Sequence, residues 1–163
     1  MGETWVVVRP WPSTIERLRE AVASIPEGER IHLVAVDQPF LAGHPPATAD
    51  YGGERLEYLL WQVRALRVAR RIVRRERVDI VWHASWSTVW LGSIGGLVGR
   101  PFVWGPVGGG VGPPWRLLPS LGPRGVAVEL VRWLVRGAFR WLNPLVWLAW
   151  SRADLILAQN RDT

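Results

Sequence analysis

Short β-branched and apolar runs alternate with stretches of helical periodicity along the chain, and few architectures accommodate that alternation. Thr4 to Arg9 (TWVVVR), Ile31 to Val36 (IHLVAV), Val78 to Trp82 (VDIVW), Pro101 to Trp104 (PFVW) and Asp154 to Ala158 (DLILA) each have the composition and length of a strand. Val78 to Trp82 is an apolar run of the kind that is buried on both faces of a parallel sheet. Strand alternating with helix predicts an α/β three-layer fold with a mostly parallel sheet, because a parallel pair needs a crossover that a helix supplies. With 163 residues, the chain is long enough for a single domain with its own core.

The intervening segments carry helical signals of different clarity. Ser13 to Ser24 is predicted helical, with Ser13 or Thr14 as cap and Glu16 placed for a capping box, and Pro26 and Gly28 end it. A loop rich in Pro, Gly and Ala follows from Asp37 to Gly53. Leu56, Leu59, Leu60, Val63, Leu66, Ala69, Ile72 and Val73 then recur at helical spacing, with Arg64, Arg67, Arg71 and Arg74 opposite them. A third helix is predicted after His83, capped by Ser85, Ser87 or Thr88. It carries the small residues Gly92, Ser93, Gly95 and Gly96 and stops at Gly99 and Pro101. Beyond the turn-rich Gly112 to Gly125, Val126 to Leu142 reads as a helix with a narrow polar stripe of Glu129, Arg132, Arg136 and Arg140.

Composition removes several chemistries and leaves others open. Without cysteine there is no disulfide, thiolate metal site or cysteine nucleophile, and His32, His44 and His83 are far apart in sequence. The net charge of +6 comes from arginine alone, as either GC-rich codon usage or a need for phosphate contacts would produce. A nucleotide diphosphate, an anionic membrane surface and nucleic acid are all compatible with that charge. Nucleic acid is the weakest of the three, since no aromatic residues interleave on the Arg64 to Arg77 face and no nucleic-acid module accompanies it. Twelve tryptophans suit core, ligand clefts or a membrane interface. Trp5 to Pro12 is too short for a signal peptide, and Val126 to Trp150 carries too many charges to cross a membrane, although it can lie on one.

Ligands of open α/β sheets bind at the carboxyl ends of the strands, which directs attention to the loops after Trp82 and Trp104. The first offers the imidazole of His83, the hydroxyls of Ser85 and Ser87 and the ring of Trp86. The second, Gly105 to Gly110, offers amides that an anion can approach without obstruction. Chemistry alone leaves His83 open as catalyst or hydrogen-bonded scaffold, and leaves the triple glycine open as ligand cradle or tight turn.

Taken together, Asp79 to His83 (DIVWH), the small-residue segment, Pro101 to Gly110 (PFVWGPVGGG) and the distal Ala153 to Ala158 (ADLILA) resemble the amino-terminal domain of family 4 glycosyltransferases with the GT-B fold. Trp5 to Arg9 with Ile15 and Glu16, and Leu59 to Gln62, resemble the branch of that family with a W-G-P-x-G-G loop. The resemblance implies a Rossmann-like, acceptor-side domain forming one wall of an interdomain cleft. It implies sugar transfer with retention of configuration from a nucleotide sugar to a polysaccharide or lipid-linked acceptor, with no cofactor and no obligatory metal. His83 matches the catalytic histidine position, and Ser85, Trp86, Gly105, Gly108, Gly109 and Gly110 match the substrate-binding loops. A cytoplasmic location is implied, peripheral at the inner membrane face. The family's first strand would precede Thr4 and its donor-binding domain would follow Thr163, so residues 1 to 163 are expected to be one incomplete domain, inactive alone.

Overall fold

The computed structural model describes residues 2–9, 12–37, 51–84, 86–110 and 115–160. The architecture is α/β, with the strands divided between two small, open, all-parallel sheets. The chain forms two compact units, Met1–Arg77 and Val78–Thr163.

In the first unit, β1 (Thr4–Val8) pairs in parallel with β2 (Ile31–Ala35), in register from Thr4 against Ile31 to Val8 against Ala35. The crossover between them is α1 (Pro12–Ala23), followed by a 3-10 turn over Gly28–Arg30. The expected capping residues Ser13 and Thr14 have side chains outside the described set. Trp5 stacks on His32 across the register, with ring centroids 5.1 Å apart. The long helix α2 (Tyr51–Arg75) keeps its arginine face in solvent, as its periodicity implies. Its apolar side differs from expectation: Leu60 and Val63 are exposed, whereas Tyr58, Trp61 and Gln62 are buried. A tertiary hydrogen bond accounts for this, because Trp61 Nε1 donates to Val36 O at 2.9 Å just past β2, and the Tyr58 ring stacks beside Trp61.

The second unit has the strand order β3–β4–β5, formed by Val81–His83, Phe102–Val107 and Leu155–Ala158. The middle strand is the core. Phe102 and Trp104 are fully buried and cluster with Val89, Val107 and Ala149. Ala149 belongs to α4 (Pro144–Arg152), which follows α3 (Gly122–Leu142) after the single residue Asn143. Asp154 locks the start of β4, accepting from Phe102 N through Oδ2 at 2.7 Å while its own amide donates to Phe102 O.

Two expectations are corrected here. The helix expected between His83 and Gly99 does not form, and that stretch holds only a 3-10 turn over Gly95–Leu97. Its glycines explain why. Each costs a helix about 1 kcal/mol relative to alanine, and Gly92 adopts a left-handed φ of +75° that no helix interior admits. A side chain at Gly95 would strike the Phe102 ring, so close approach of this segment to the sheet replaces helical bonding. The second correction is that β4 continues past Trp104 to Val107, with an irregularity in its pairing with β5.

Register assigns the sheet faces, since partners in parallel strands share a face. His83, Trp104 and Ile156 lie on one, and Trp82, Val103 and Leu155 on the other. The latter face is thinly covered, with Trp82 60% and Leu155 51% exposed. On α3 the covered and exposed sides are likewise uneven. At 100° per residue, the half-buried Gly125, Val126, Glu129, Gly137 and Arg140 fall on the polar edge, while Val131, Leu134 and Trp141 stand exposed on the rest of the circumference. Among the described residues no helix is long and apolar enough to cross a membrane.

Candidate functional site

The segment after His83 runs on beside β4 and pairs with the chain just past Val107. Gly108 N donates to Ser87 O at 2.8 Å and Val89 N donates to Gly108 O at 3.0 Å, so Thr88 and Gly108 form a parallel bridge just beyond the strands. Ser87, expected as a helix cap, instead donates through Oγ to His83 O at 2.9 Å and fixes the turn from its own strand. Inside that turn Trp86 adopts a left-handed φ of +50°, a conformation that costs a non-glycine residue about 1–2 kcal/mol and that the surrounding bonds hold in place. Ser85 lies outside the described residues.

His83 closes β3 and is half-buried. Its Nδ1 is hydrogen-bonded to Ser93 Oγ, and Ser93 is wholly buried. The same oxygen accepts from Gly95 N at 3.0 Å. Sequence reasoning treats Ser93 only as a small residue suited to close packing. The signal that could have marked it is a hydroxyl inside the apolar run Val89 to Val98, a place where a polar group must have partners.

The glycine loop divides into a structural and an open part. Gly105 belongs to β4, with φ at +134°, its carbonyl accepting from Trp82 Nε1 at 2.6 Å and the backbone of Leu157 pressed against its Cα. Gly108 is buried in the bridge to Ser87 and Val89. Gly109 is exposed at φ +83°, and a side chain there would come within 3.0 Å of Trp90 Nε1. Among the described residues the amides of Gly109 and Gly110 make no hydrogen bond. The Thr88 hydroxyl, screened from solvent beside Gly109, has no partner among them either.

The segments just past β3 and β4 thus gather main-chain donors, the Thr88 hydroxyl and the Trp90 ring edge, with the His83 imidazole at the end of β3, level with Trp104. That set suits a ligand with acceptor oxygens, such as a phosphate or a sugar. Among the described residues no group of His, Asp and Glu side chains is placed to hold a metal ion. No protein family, curated protein or solved structure matches the chain.

Proposed function

We propose that this chain is the acceptor-side wall of a retaining glycosyltransferase, a Rossmann-like, three-layer half of a GT-B fold. In this reading it acts with a second, donor-binding domain to move a sugar from a nucleotide sugar to a polysaccharide or glycolipid. The observation that carries the reading is the parallel bridge of Thr88 to Gly108, by which the segment that follows His83 lies beside the glycine loop just past two neighbouring parallel strands. In an α/β enzyme that edge is where ligands sit. His83 meets the transferred group, the amides of Gly109 and Gly110 meet its oxygens, Trp86 supplies an apolar wall, and Gly105 shapes the strand behind them.

The test is sugar transfer by this chain combined with a donor-binding GT-B domain, assayed against nucleotide-diphosphate sugars with the product anomer read by NMR. His83→Ala should lower turnover by about 100-fold or more, the scale of losing one donor to a developing charge, with an unchanged circular dichroism spectrum. Full turnover in that variant would reduce His83 to scaffold. Absence of transfer from every nucleotide sugar, or an inverted product, would sink the reading.

The outward apolar side of α3 favours a second function beside the first, peripheral docking on an anionic bilayer at the cytoplasmic face. Leu134 and Trp141 stand exposed on that side, and Trp133 stands exposed beside the stripe that holds Arg132 and Arg136, so that apolar and cationic groups share one helix, as they do in interfacial helices. Flotation with phosphatidylserine vesicles tests it: binding that weakens with salt supports docking, and no binding at low salt excludes it.

A further inference from the structure

We infer that Ser93 sets the tautomer of His83, holding the neutral ring with its proton on Nε2, which makes that nitrogen a hydrogen-bond donor and not a base. A serine hydroxyl has one proton to give and two lone pairs to receive with. One lone pair of Ser93 Oγ takes the amide proton of Gly95 at 3.0 Å. The remaining contact is with His83 Nδ1, and Ser93 makes no other hydrogen bond among the described residues. If Nδ1 carried the proton, both partners of the oxygen would be donors and the hydroxyl proton would point at nothing, inside a residue with no exposed surface. A buried donor without a partner is strongly disfavoured. If the hydroxyl donates to Nδ1, Ser93 Oγ is satisfied as donor and as acceptor, and the ring proton resides on Nε2.

The inference rests on the transferase reading only for its consequence. There, an Nε2–H group steadies a sugar hydroxyl or a leaving phosphate oxygen, and the acceptor's proton departs to another base. Ser93 is in that scheme a positioning residue, acting through His83 and touching no substrate.

The test is long-range proton–nitrogen NMR on the histidine-15N-labelled chain at about pH 8.5, two units above the ordinary imidazole pKa of about 6.5. The His83 signals are assigned by their loss in His83→Gln. The expected pattern is one pyridine-type Nδ1 and one pyrrole-type Nε2, with a slowly exchanging Ser93 hydroxyl proton close to the ring. In Ser93→Ala the pattern should relax to the averaged mixture of a free imidazole. A pyrrole-type Nδ1 in the unmodified protein overturns the assignment whether or not the variant folds, and so does an unchanged single tautomer in a folded Ser93→Ala. An Nε2–H tautomer without sugar transfer would retire the transferase reading and leave Ser93 in this role. Transfer with an Nδ1–H ring would do the reverse.

Discussion

Replacing Asn143 separates helix capping from tertiary anchoring, because two substitutions that are equivalent for one are opposite for the other. Asn143 sits between α3 and α4, and its Oδ1 accepts from Leu145 N at 2.9 Å as the amino-terminal cap of α4. Its Nδ2 donates to the carbonyls of Trp90 and Leu91, both at 3.1 Å. The reverse amide orientation would set donor against donor at Leu145 and acceptor against two acceptors, so the network fixes this one. Asn143→Ala removes the cap, worth about 1 kcal/mol, and two further bonds worth about 1 kcal/mol each. Some of that returns as water reaches the carbonyls, which places the loss at about 2–3 kcal/mol. Asn143→Asp keeps the cap and adds a negative charge at a helix amino terminus, where it is favourable by about 0.3–1 kcal/mol. It also turns a donor into an acceptor facing two carbonyl oxygens. Capping alone therefore predicts a neutral or stabilised Asp variant, whereas the structure predicts one at least as unstable as Ala.

Urea unfolding followed by tryptophan emission measures both variants, since most tryptophans lie in Val78–Thr163. Hydrogen exchange at the Leu145 amide adds a local readout, expected to stay slow in Asp relative to Ala. An Asp variant within about 0.5 kcal/mol of the original, the size of an ordinary surface change, would refute the account of how this connection is anchored.

Other substitutions isolate single features. Gly92→Ala and Gly99→Ala both place a side chain at positive φ, but Gly92 presses on the backbone of Leu145 and Val146 while Gly99 has nothing within 4 Å. Denaturation should show a loss of about 1–2 kcal/mol at Gly99 and a further 1–3 kcal/mol at Gly92 from overpacking; equal losses would contradict the close approach. Asp154→Ala should cost about 1 kcal/mol by removing the acceptor for Phe102 N, and Asp154→Asn less, because an amide oxygen still accepts there. Val131→Glu and Leu134→Glu should leave stability within about 0.5 kcal/mol yet abolish vesicle flotation, since both side chains already face outward.

What could be read from the residues followed from what is local in them. The parallel α/β class was legible because strand-length apolar runs alternate with helical periodicity, and α2 because Arg64, Arg67, Arg71 and Arg74 mark one side over about three turns of chain. The stretch from Ser87 to Val98 was not legible. Small residues there are equally compatible with a closely packed helix and with a chain laid irregularly on a sheet. The choice is made by Phe102 on the next strand and by Leu145, which is distant in sequence. For the same reason the position of His83 at a strand end could be anticipated and its partner could not, since nothing in the local sequence connects a serine ten residues away with the ring. The Gly105–Gly110 run looked uniform. Its division into a strand residue and an open loop depends on Trp82, Ser87 and Leu157 reaching it from other segments.

Helix α3 shows most directly how a local pattern and a tertiary position can disagree. Its sequence has a narrow polar stripe and a broad apolar arc, and an ordinary surface helix would bury the arc and expose the stripe. Here the partly covered side includes Glu129 and Arg140, with Arg140 lying 5.7 Å from the centre of the Trp150 ring, while Leu134 and Trp141 remain more than 60% exposed. Burying an apolar side chain of this size contributes about 1.5–3 kcal/mol, so several such residues in solvent leave a large driving force unused. Chance scatter of surface leucines does not account for a contiguous arc along one helix. The arc is better understood as a contact surface, with Arg132 and Arg136 on the polar stripe of the same helix. If that surface is a bilayer, a lipid-linked acceptor would approach along the plane in which α3 lies, which ties the docking helix to the glycosyl-transfer reading through the acceptor and not through the nucleotide.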